Sequence, residues 1–331
     1  MIDRFRSCAR TPSILAALFA LSFVALSVIA SAESAYSIVN KIRIPGSGSW
    51  DYLTVDEDAR RLYVSHGTQV EVIDLDAESL VGQIPNTRGV HGITVAPELS
   101  RGFVSDGEVS TVTIFDLKTL KPLGEVETGK KPDAIVYDPA TSRVFAFNGG
   151  SNSATVIEAG NGKAAGTIDL GGGPEFATAD GAGYVFNNLE DKNLVIKINS
   201  RSLNVEQRWP TSPCRSPSSM AMDRANRRLF IGCRSRVMAV MNADTGKVIT
   251  TLPIGDHVDA TAFDPEPRLI FNSNGDGTIT VIKQESPDSY SIVETVKTVP
   301  RAKTMALDPK THKLFLSTME SGQFEVLVVG K

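Results

Sequence analysis

Short runs of β-branched and aromatic residues alternate with turn residues along most of the chain. In its first part, such runs cover residues 52–55, 61–65, 70–73 and 80–84. Short runs bounded by glycine, proline, asparagine and aspartate are typical of β-strands. Beyond the N-terminal segment, no stretch keeps a helical hydrophobic period over the length of a normal helix, so the pattern predicts an all-β protein.

This group of four strands repeats. The residue that ends the first strand of each repeat serves as a marker, and successive markers stand 41 to 44 residues apart. The markers are Asp56, Pro97, Asp138, Asp180, Asp223, Asp264 and Asp308. A period of about 42 residues matches a four-stranded propeller blade. The chain is therefore predicted to be a seven-bladed β-propeller.

The ends of the chain predict how the ring of blades closes. The seventh repeat stops after its third strand, at residues 324–329, while residues 36–44 have the character of an unassigned fourth strand. An N-terminal strand that completes the last blade leaves only short, protected sheet edges. We therefore expect one domain, residues 33–331, closed by its own N-terminal strand.

Six of the seven markers are aspartates at the start of a turn, several of them followed by proline. Aspartate favours the first position of a type I turn and proline the second. Because the same residue returns in six blades, it solves a folding problem that all blades share. These turn aspartates are therefore interpreted as structural rather than catalytic.

A different set of residues varies from blade to blade. Five residues before each marker lies the beginning of the first strand, near the propeller axis, and the second repeat needs one extra residue to fit this rule. The seven positions, here called the ring, are Asp51, His91, Asp133, Glu175, Ser218, Asp259 and Lys303. Unlike groups that converge near one axis predict a ligand or partner site on the loop-rich face, here called the ring face. The alternative is a water-filled channel mouth in which these groups form salt bridges.

Four ring residues are carboxylates, which would repel each other unless a cation or basic side chains offset them. Lys303 and Arg301 could do so, and so could bound Ca²⁺. A histidine among carboxylates would also suit Zn²⁺. The candidate metal ligands are Asp51, His91, Asp133, Glu175 and Asp259.

The first 32 residues have the layout of a signal peptide. Arginines 4, 6 and 10 precede an apolar run at residues 14–29, and Ala-Ser-Ala at 30–32 forms a cleavage signal. We expect export to the periplasm or the medium, with no membrane span after cleavage. With a net charge of −4, the protein has no global attraction for nucleic acid.

Two of the three cysteines remain after cleavage, Cys214 and Cys233. Both fall on one face of the fifth repeat, and in an oxidising compartment they are expected to form a disulfide. A metal-ligand or redox role is the alternative.

The repeat resembles the YVTN repeat of bacterial, YncE-like exported propellers. The resemblance lies in Arg-Leu-Tyr-Val-Ser at 61–65, Val-Ile-Asp-Leu at 72–75, Leu-Phe-Ile-Gly at 229–232, and the glycine, proline and acidic residues at 129–133 and 172–175. The resemblance covers the whole chain after the signal peptide. It implies a propeller that binds nucleic acid or a partner, and no reaction general to the family.

Three functions follow as hypotheses. The first is a monomeric, non-enzymatic protein that binds a small molecule or a protein partner through the ring face. The second is a metal-dependent hydrolase resembling propeller lactonases, with Asp51, Asp133, Glu175 and Asp259 as ligands or bases and His91 as proton carrier.

The third and weaker hypothesis is single-stranded nucleic acid binding through a cluster of arginines. The cluster comprises Arg208, Arg215, Arg234 and Arg236, with Trp209 as an aromatic platform. An ion-paired or solvated cluster is the plainer interpretation. No Gly-x-Ser-x-Gly, phosphate-binding glycine loop, haem motif or His-Glu-x-x-His is present, which favours binding over catalysis without excluding an enzyme.

Overall fold

The computed structural model describes Met1 and residues 35–331, and residues 35–331 form one compact unit. The predicted signal peptide, residues 1–32, and Cys8 lie outside the described residues, apart from Met1. Within residues 35–331, 28 strands form seven antiparallel sheets of four strands each. The predicted all-β, seven-bladed propeller is confirmed.

Each sheet is one blade, and its strands follow chain order in blades 1 to 6, whereas blade 7 takes its outer strand from the N-terminus. Blade 1 has β2 (Leu53–Asp56), β3 (Arg61–His66), β4 (Gln69–Asp74) and β5 (Ser79–Pro85). Blade 2 has β6 (Val90–Ala96), β7 (Arg101–Asp106), β8 (Thr111–Asp116) and β9 (Pro122–Glu127). Blade 3 has β10 (Pro132–Asp138), β11 (Arg143–Asn148), β12 (Ser153–Glu158) and β13 (Lys163–Asp169). Blade 4 has β14 (Pro174–Ala179), β15 (Tyr184–Leu189), β16 (Leu194–Asn199) and β17 (Asn204–Pro210).

The remaining blades continue the pattern. Blade 5 has β18 (Pro217–Asp223), β19 (Arg228–Cys233), β20 (Val237–Asn242) and β21 (Val248–Pro253). Blade 6 has β22 (Val258–Asp264), β23 (Leu269–Asn274), β24 (Thr278–Ser286) and β25 (Ser289–Lys297). Blade 7 has β26 (Met305–Asp308), β27 (Lys313–Glu320), β28 (Gln323–Gly330) and β1 (Ser37–Ile44).

The N-terminal strand closes the ring of blades as predicted. β1 runs antiparallel to β28, with Ile44 opposite Phe324 and Ser37 opposite Gly330. Two short 3₁₀ helices, Pro97–Leu99 and Glu190–Lys192, are the helical elements among the described residues. Neither of them approaches the length that a membrane span requires.

An aromatic residue occupies the third position of the second strand in every blade, and each is fully buried. The seven are Tyr63, Phe103, Phe145, Phe186, Phe230, Phe271 and Phe315. Burial of one such side chain contributes about 2–3 kcal/mol to folding. The repeated aromatic residue therefore forms an equivalent part of the hydrophobic core in every blade.

The turn aspartates have structural partners on the face opposite the ring, here called the turn face. All six are almost completely buried, and several accept hydrogen bonds from main-chain N–H groups two or three residues further on, as Asp56 does from Ala59 at 3.0 Å. Most also bind the following blade: Arg60 donates to both carboxylate oxygens of Asp308 at 2.8 Å, and Arg227 donates to Asp180 at 2.8 Å. The turn aspartates thus cap their own turn and join neighbouring blades.

The marker assigned to the second blade is wrong by one residue. Ala96, not Pro97, pairs with the first residue of the next strand, Arg101, as Asp138 pairs with Arg143. Pro97 instead begins a 3₁₀ helix, for which its fixed φ is well suited. With Ala96 as marker, His91 obeys the same five-residue rule as the rest of the ring and needs no extra residue.

Candidate binding site on the propeller axis

Irregular pairing at the start of the first strand directs the ring side chains away from the sheet. In blades 2 to 6 the register between the first and second strands shifts there, and the ring residue lies inside the shifted segment, as Asp133 does between Pro132 and Ile135. A bulge of this kind bends the strand and re-aims a side chain. In blades 1 and 7 the ring residues, Asp51 and Lys303, precede the strand altogether.

Small buried hydroxyl groups support this irregular main chain, and the sequence reasoning missed them. The fifth residue of the second strand is a fully buried serine in four blades: Ser65, Ser105, Ser273 and Ser317. Ser65 accepts a hydrogen bond from the Asp51 N–H at 2.7 Å, while Ser105 donates to the Asp133 carbonyl. The repeat of serine at this position was visible in the sequence, but only the fold shows that it faces the ring.

Six of the seven ring residues surround one cavity of about 140 Å³, here called the axial cavity. Its lining residues are Asp51, Tyr52, Asp133, Glu175, Ser218, Arg234, Asp259 and Lys303. Tyr52 of blade 1 and Phe176 of blade 4 meet across the axis with ring centres 5.3 Å apart. Both residues directly follow a ring residue, and Tyr52 itself lines the cavity, so this aromatic contact forms part of the cavity's boundary.

His91, the seventh ring residue, joins two carboxylates at the edge of the cavity. Its Nδ1 donates to Asp51 Oδ2 at 2.7 Å and lies 3.9 Å from Asp133 Oδ1. The bond to Asp51 raises the pKa of His91 above its usual value, although burial opposes the change.

The other side of the cavity contains a chain of charged contacts. Lys303 binds Asp259, and Arg234 lies 3.8 Å from Asp259 and 2.7 Å from Glu190. Glu190 in turn shares a hydrogen bond with Glu175. Glu190 and Arg234 thus belong to the site, although neither of them is a ring residue.

Burial and mutual repulsion raise the pKa of the carboxyl groups. Burial, followed by the hydrogen bond with Glu190 and the charge of Asp133, raises the pKa of Glu175 to about 9. Burial and the nearby Asp51 raise the pKa of Asp133 to about 6, against the effect of His91. Burial also raises the pKa of Asp259, although Lys303 opposes it. The axial cavity therefore holds more carboxyl groups than basic residues, and Glu175 avoids part of the repulsion by staying protonated at neutral pH.

The predicted metal ligands do not all come together. One ligand atom each from Asp51, His91 and Asp133 lies within 4.8 Å of the other two. Glu175 contacts Glu190, and Asp259 contacts Lys303, so these two carboxylates are engaged elsewhere. Ser218 is also engaged, because its hydroxyl donates to the Val258 carbonyl at 2.8 Å.

The cysteine prediction is confirmed: Cys214 and Cys233 form a buried disulfide, with Cα atoms 5.7 Å apart. The arginine cluster lacks the aromatic platform that the nucleic-acid hypothesis assigned to it. Trp209 is only 8% exposed and packs on Phe186, so it offers no platform for bases, and Arg208 donates to the Leu170 carbonyl.

Solved structures share this fold. A chain in the crystal structure of the mitotic checkpoint complex has a TM-score of 0.77 and 15% identity over 98% of both chains. U3-55K has a TM-score of 0.78 and 9% identity over 90% of this chain and 100% of its own. The WD40 repeats of RRP9 have a TM-score of 0.76 and 8% identity over 90% of this chain and 99% of that one.

Fold and neighbours thus define the class: a seven-bladed β-propeller with WD40-like structural neighbours. At these identities the similarity shows the fold alone. No protein-family model and no curated protein sequence matches the chain. Membership of the YVTN-repeat family therefore stays a prediction.

Proposed function

We propose that this protein is a non-enzymatic binding protein whose axial cavity receives a positively charged group of a small molecule or protein partner. The observation that carries the proposal is the excess of carboxyl groups there. Among the described residues, neither Asp133 nor Glu175 forms an ion pair with a lysine or arginine, and these are the two carboxyls whose pKa rises to about 6 and about 9. A cation between them would relieve the repulsion that raises both pKa values.

The size of the cavity limits what can enter. A volume of about 140 Å³ corresponds to a few water molecules of about 30 Å³ each. That is enough for an ammonium or guanidinium group and too little for a segment of folded protein. The partner is therefore a small amine, or a protein that inserts one basic side chain.

Isothermal titration calorimetry tests the proposal, with n-butylamine and L-argininamide as probes and n-butanol as the neutral control. We expect the cationic probes to bind at pH 7.5. They should also release protons, because Glu175 is protonated in the free protein and ionises beside a bound cation. Proton release is measured by repeating the titration in two buffers with different ionisation enthalpies.

Two variants make the test specific. Glu175→Gln should abolish proton release, whereas Glu108→Gln, an exposed glutamate paired with Arg88, should leave it unchanged. Equal binding of butanol and butylamine, or proton release that persists in Glu175→Gln, would refute the proposed site.

A second candidate function rests on the three ligand atoms of Asp51, His91 and Asp133. Zn²⁺ accepts imidazole nitrogen together with carboxylate oxygen, whereas Ca²⁺ prefers oxygen alone, so the donor set favours Zn²⁺. A bound Zn²⁺ would supply the Lewis acid that a hydrolase requires. The ligand atoms lie within 4.8 Å of one another, whereas tetrahedral zinc bonds of about 2.0–2.2 Å require separations of about 3.4 Å, so the side chains would need to move closer together to bind zinc.

Competition with a chromophoric chelator measures this candidate. Zn²⁺ should bind the wild type and His257→Ala, which removes an exposed histidine on the same face, and bind His91→Ala at least about 10-fold more weakly. Equal zinc affinity in His91→Ala would exclude this site, and with it the metal-dependent hydrolase.

We also propose that the protein belongs with the YVTN-repeat propellers, is exported to the periplasm or secreted, and acts as a monomer. The buried disulfide supports an oxidising compartment. The neighbour from the mitotic checkpoint complex supports a binding role by analogy of fold only.

Mass spectrometry of the expressed protein should find a chain beginning at Glu33 in the periplasm or medium, and light scattering should give the mass of one chain. A full-length cytoplasmic product would contradict export.

A further inference from the structure

A second cavity opens on the ring face beside the axial cavity. It encloses about 390 Å³, and its lining residues are Ser49, Trp50, His257, Gly275, Arg301 and Lys303. They belong to the segments that lead into the first strands of blades 1, 6 and 7 and to a loop of blade 6. We call it the lateral cavity. Its volume lies in the range of small-molecule sites, about 300–1,000 Å³.

The lateral cavity has the opposite charge to its neighbour. Its lining contains two permanent cations and a histidine but no carboxylate. Lys303 already binds Asp259, and His257 lies 3.2 Å from Asp256. Among the described residues, Arg301 forms no ion pair with any carboxylate. Arg301 is therefore the cation that remains available to an anion.

Arg301 also has an aromatic neighbour. Its guanidinium carbon lies 5.3 Å from the centre of the Trp50 ring, and Trp50 packs on Phe324 at a centre-to-centre distance of 6.0 Å. A guanidinium beside an indole is weakly hydrated and keeps its forked donors for a planar oxyanion. The side of the lateral cavity formed by Trp50 and Arg301 thus combines an apolar surface with one positive charge.

Main-chain hydrogen bonds fix the conformation of several segments that line the lateral cavity. The Gly275 N–H donates to the His257 carbonyl at 3.0 Å, and the Arg301 N–H donates to the Gly275 carbonyl at 2.9 Å. The segments that lead into blades 6 and 7 are thereby linked through the blade 6 loop that contains Gly275. A site whose loops are already fixed loses less entropy when a ligand binds.

We propose that the lateral cavity binds a small organic anion, a carboxylate or phosphate ester that pairs with Arg301 and is carried on a flat apolar body packed against Trp50. The proposal does not depend on cation binding in the axial cavity, because Arg301 and Trp50 do not line that cavity.

Calorimetry with benzoate and phenyl phosphate tests the proposal, with benzyl alcohol as the neutral analogue of the same shape. Both anions should bind at least about 10-fold more tightly than benzyl alcohol, since a charge-assisted hydrogen bond is lost in the alcohol. The order of benzoate and phenyl phosphate tells which oxyanion the site prefers, and either order supports the proposal.

The matched variants are Arg301→Gln and Arg215→Gln, both at exposed arginines. Arg301→Gln should weaken both anions at least about 10-fold, Arg301→Lys should weaken them less, and Arg215→Gln should change nothing. Trp50→Phe, which keeps an aromatic contact with Phe324, should weaken both anions and benzyl alcohol by a similar factor. Absence of anion binding at millimolar concentration, or undiminished binding in a folded Arg301→Gln protein, would overturn the proposal.

Discussion

The two faces of this propeller place carboxylates in opposite electrostatic settings. On the turn face, Asp308 is fully buried, yet Arg60 donates two hydrogen bonds to it at 2.8 Å. On the ring face, Asp133 and Glu175 are half-buried among other acids without an arginine or lysine partner. The difference therefore lies in the partners, not in the residue type.

The pKa values follow the same division. Burial alone would raise the pKa of Asp308 and Asp180, but hydrogen bonds from Arg60, Arg227 and their own turns hold both pKa values below normal. The pKa of Glu175 rises to about 9 because burial, the hydrogen bond with Glu190 and the charge of Asp133 together outweigh the opposing charge of Arg234. Asp264 is the exception on the turn face: its partner is His312, and burial raises its pKa despite that contact.

The comparison teaches how to interpret a repeated carboxylate. An aspartate that returns in six of the seven blades with its partners stabilises the fold. Carboxylates that collect at equivalent positions without partners cost stability, and such a cost is typical of a binding site. The following variants test this distinction, in order of decreasing effect.

The largest effect is expected on the turn face. Asp308→Ala leaves Arg60 without its buried partner and removes the acceptor for the Lys310 N–H. Breaking a buried pair in this way costs about 3–5 kcal/mol. Urea denaturation at pH 7 measures the loss in the free energy of unfolding.

Asp58→Ala is the control, because Asp58 is an exposed aspartate in the first turn of blade 1. It should change the free energy of unfolding by less than about 0.5 kcal/mol. A loss below about 1 kcal/mol in Asp308→Ala would mean that the turn aspartates do not hold the blades together.

Much of the turn face could be predicted from sequence. The period of 41 to 44 residues, the turn aspartates and the unassigned strand at 36–44 were sufficient for seven blades and their closure. The one wrong marker, Pro97, falls in the one blade whose first strand ends in alanine rather than aspartate, so no turn aspartate indicated the strand end there.

The ring face could be predicted only in part. Equivalent positions in consecutive blades are neighbours in space, so the contact between His91 and Asp51 followed from the repeat. The contacts of Glu190 with Arg234, and of Arg301 with Trp50, depend on loop conformations that no period encodes. Repetition predicts where the site lies, but not which of its charges are neutralised.

A smaller effect of opposite sign is expected on the ring face. In the unfolded chain Glu175 ionises near pH 4.5, and in the folded protein near pH 9. Its stabilising contribution is therefore fully present below about pH 4.5 and is lost as the pH rises to about 9. Glu175→Gln removes this dependence, so the variant should gain on the wild type with rising pH. The full shift of the pKa corresponds to about 6 kcal/mol, and because Glu175 is partly exposed, solvent screening reduces the expected gain to on the order of 2 kcal/mol at pH 9.

Chemical denaturation of both proteins at pH 5, 7 and 9 measures this gain. The control is Glu108→Gln, whose difference from the wild type should not vary with pH because Glu108 is exposed. A pH-independent difference for Glu175→Gln would show that Glu175 is not the destabilised acid that the cation hypothesis requires.

The smallest effect concerns the neutral member of the ring, Ser218. Its buried hydroxyl donates to the Val258 carbonyl of the next blade, so Ser218→Ala should cost about 1 kcal/mol of the free energy of unfolding. Butylamine binding should stay within about 2-fold of the wild type, because Ser218 carries no charge and its hydroxyl is already engaged. The free energy of unfolding reports on the structural role of Ser218, and butylamine binding reports on whether an uncharged ring residue contributes to recognition. If Ser218→Ala weakened amine binding 10-fold, the whole ring would contribute to recognition and the excess of carboxylates could not be its cause.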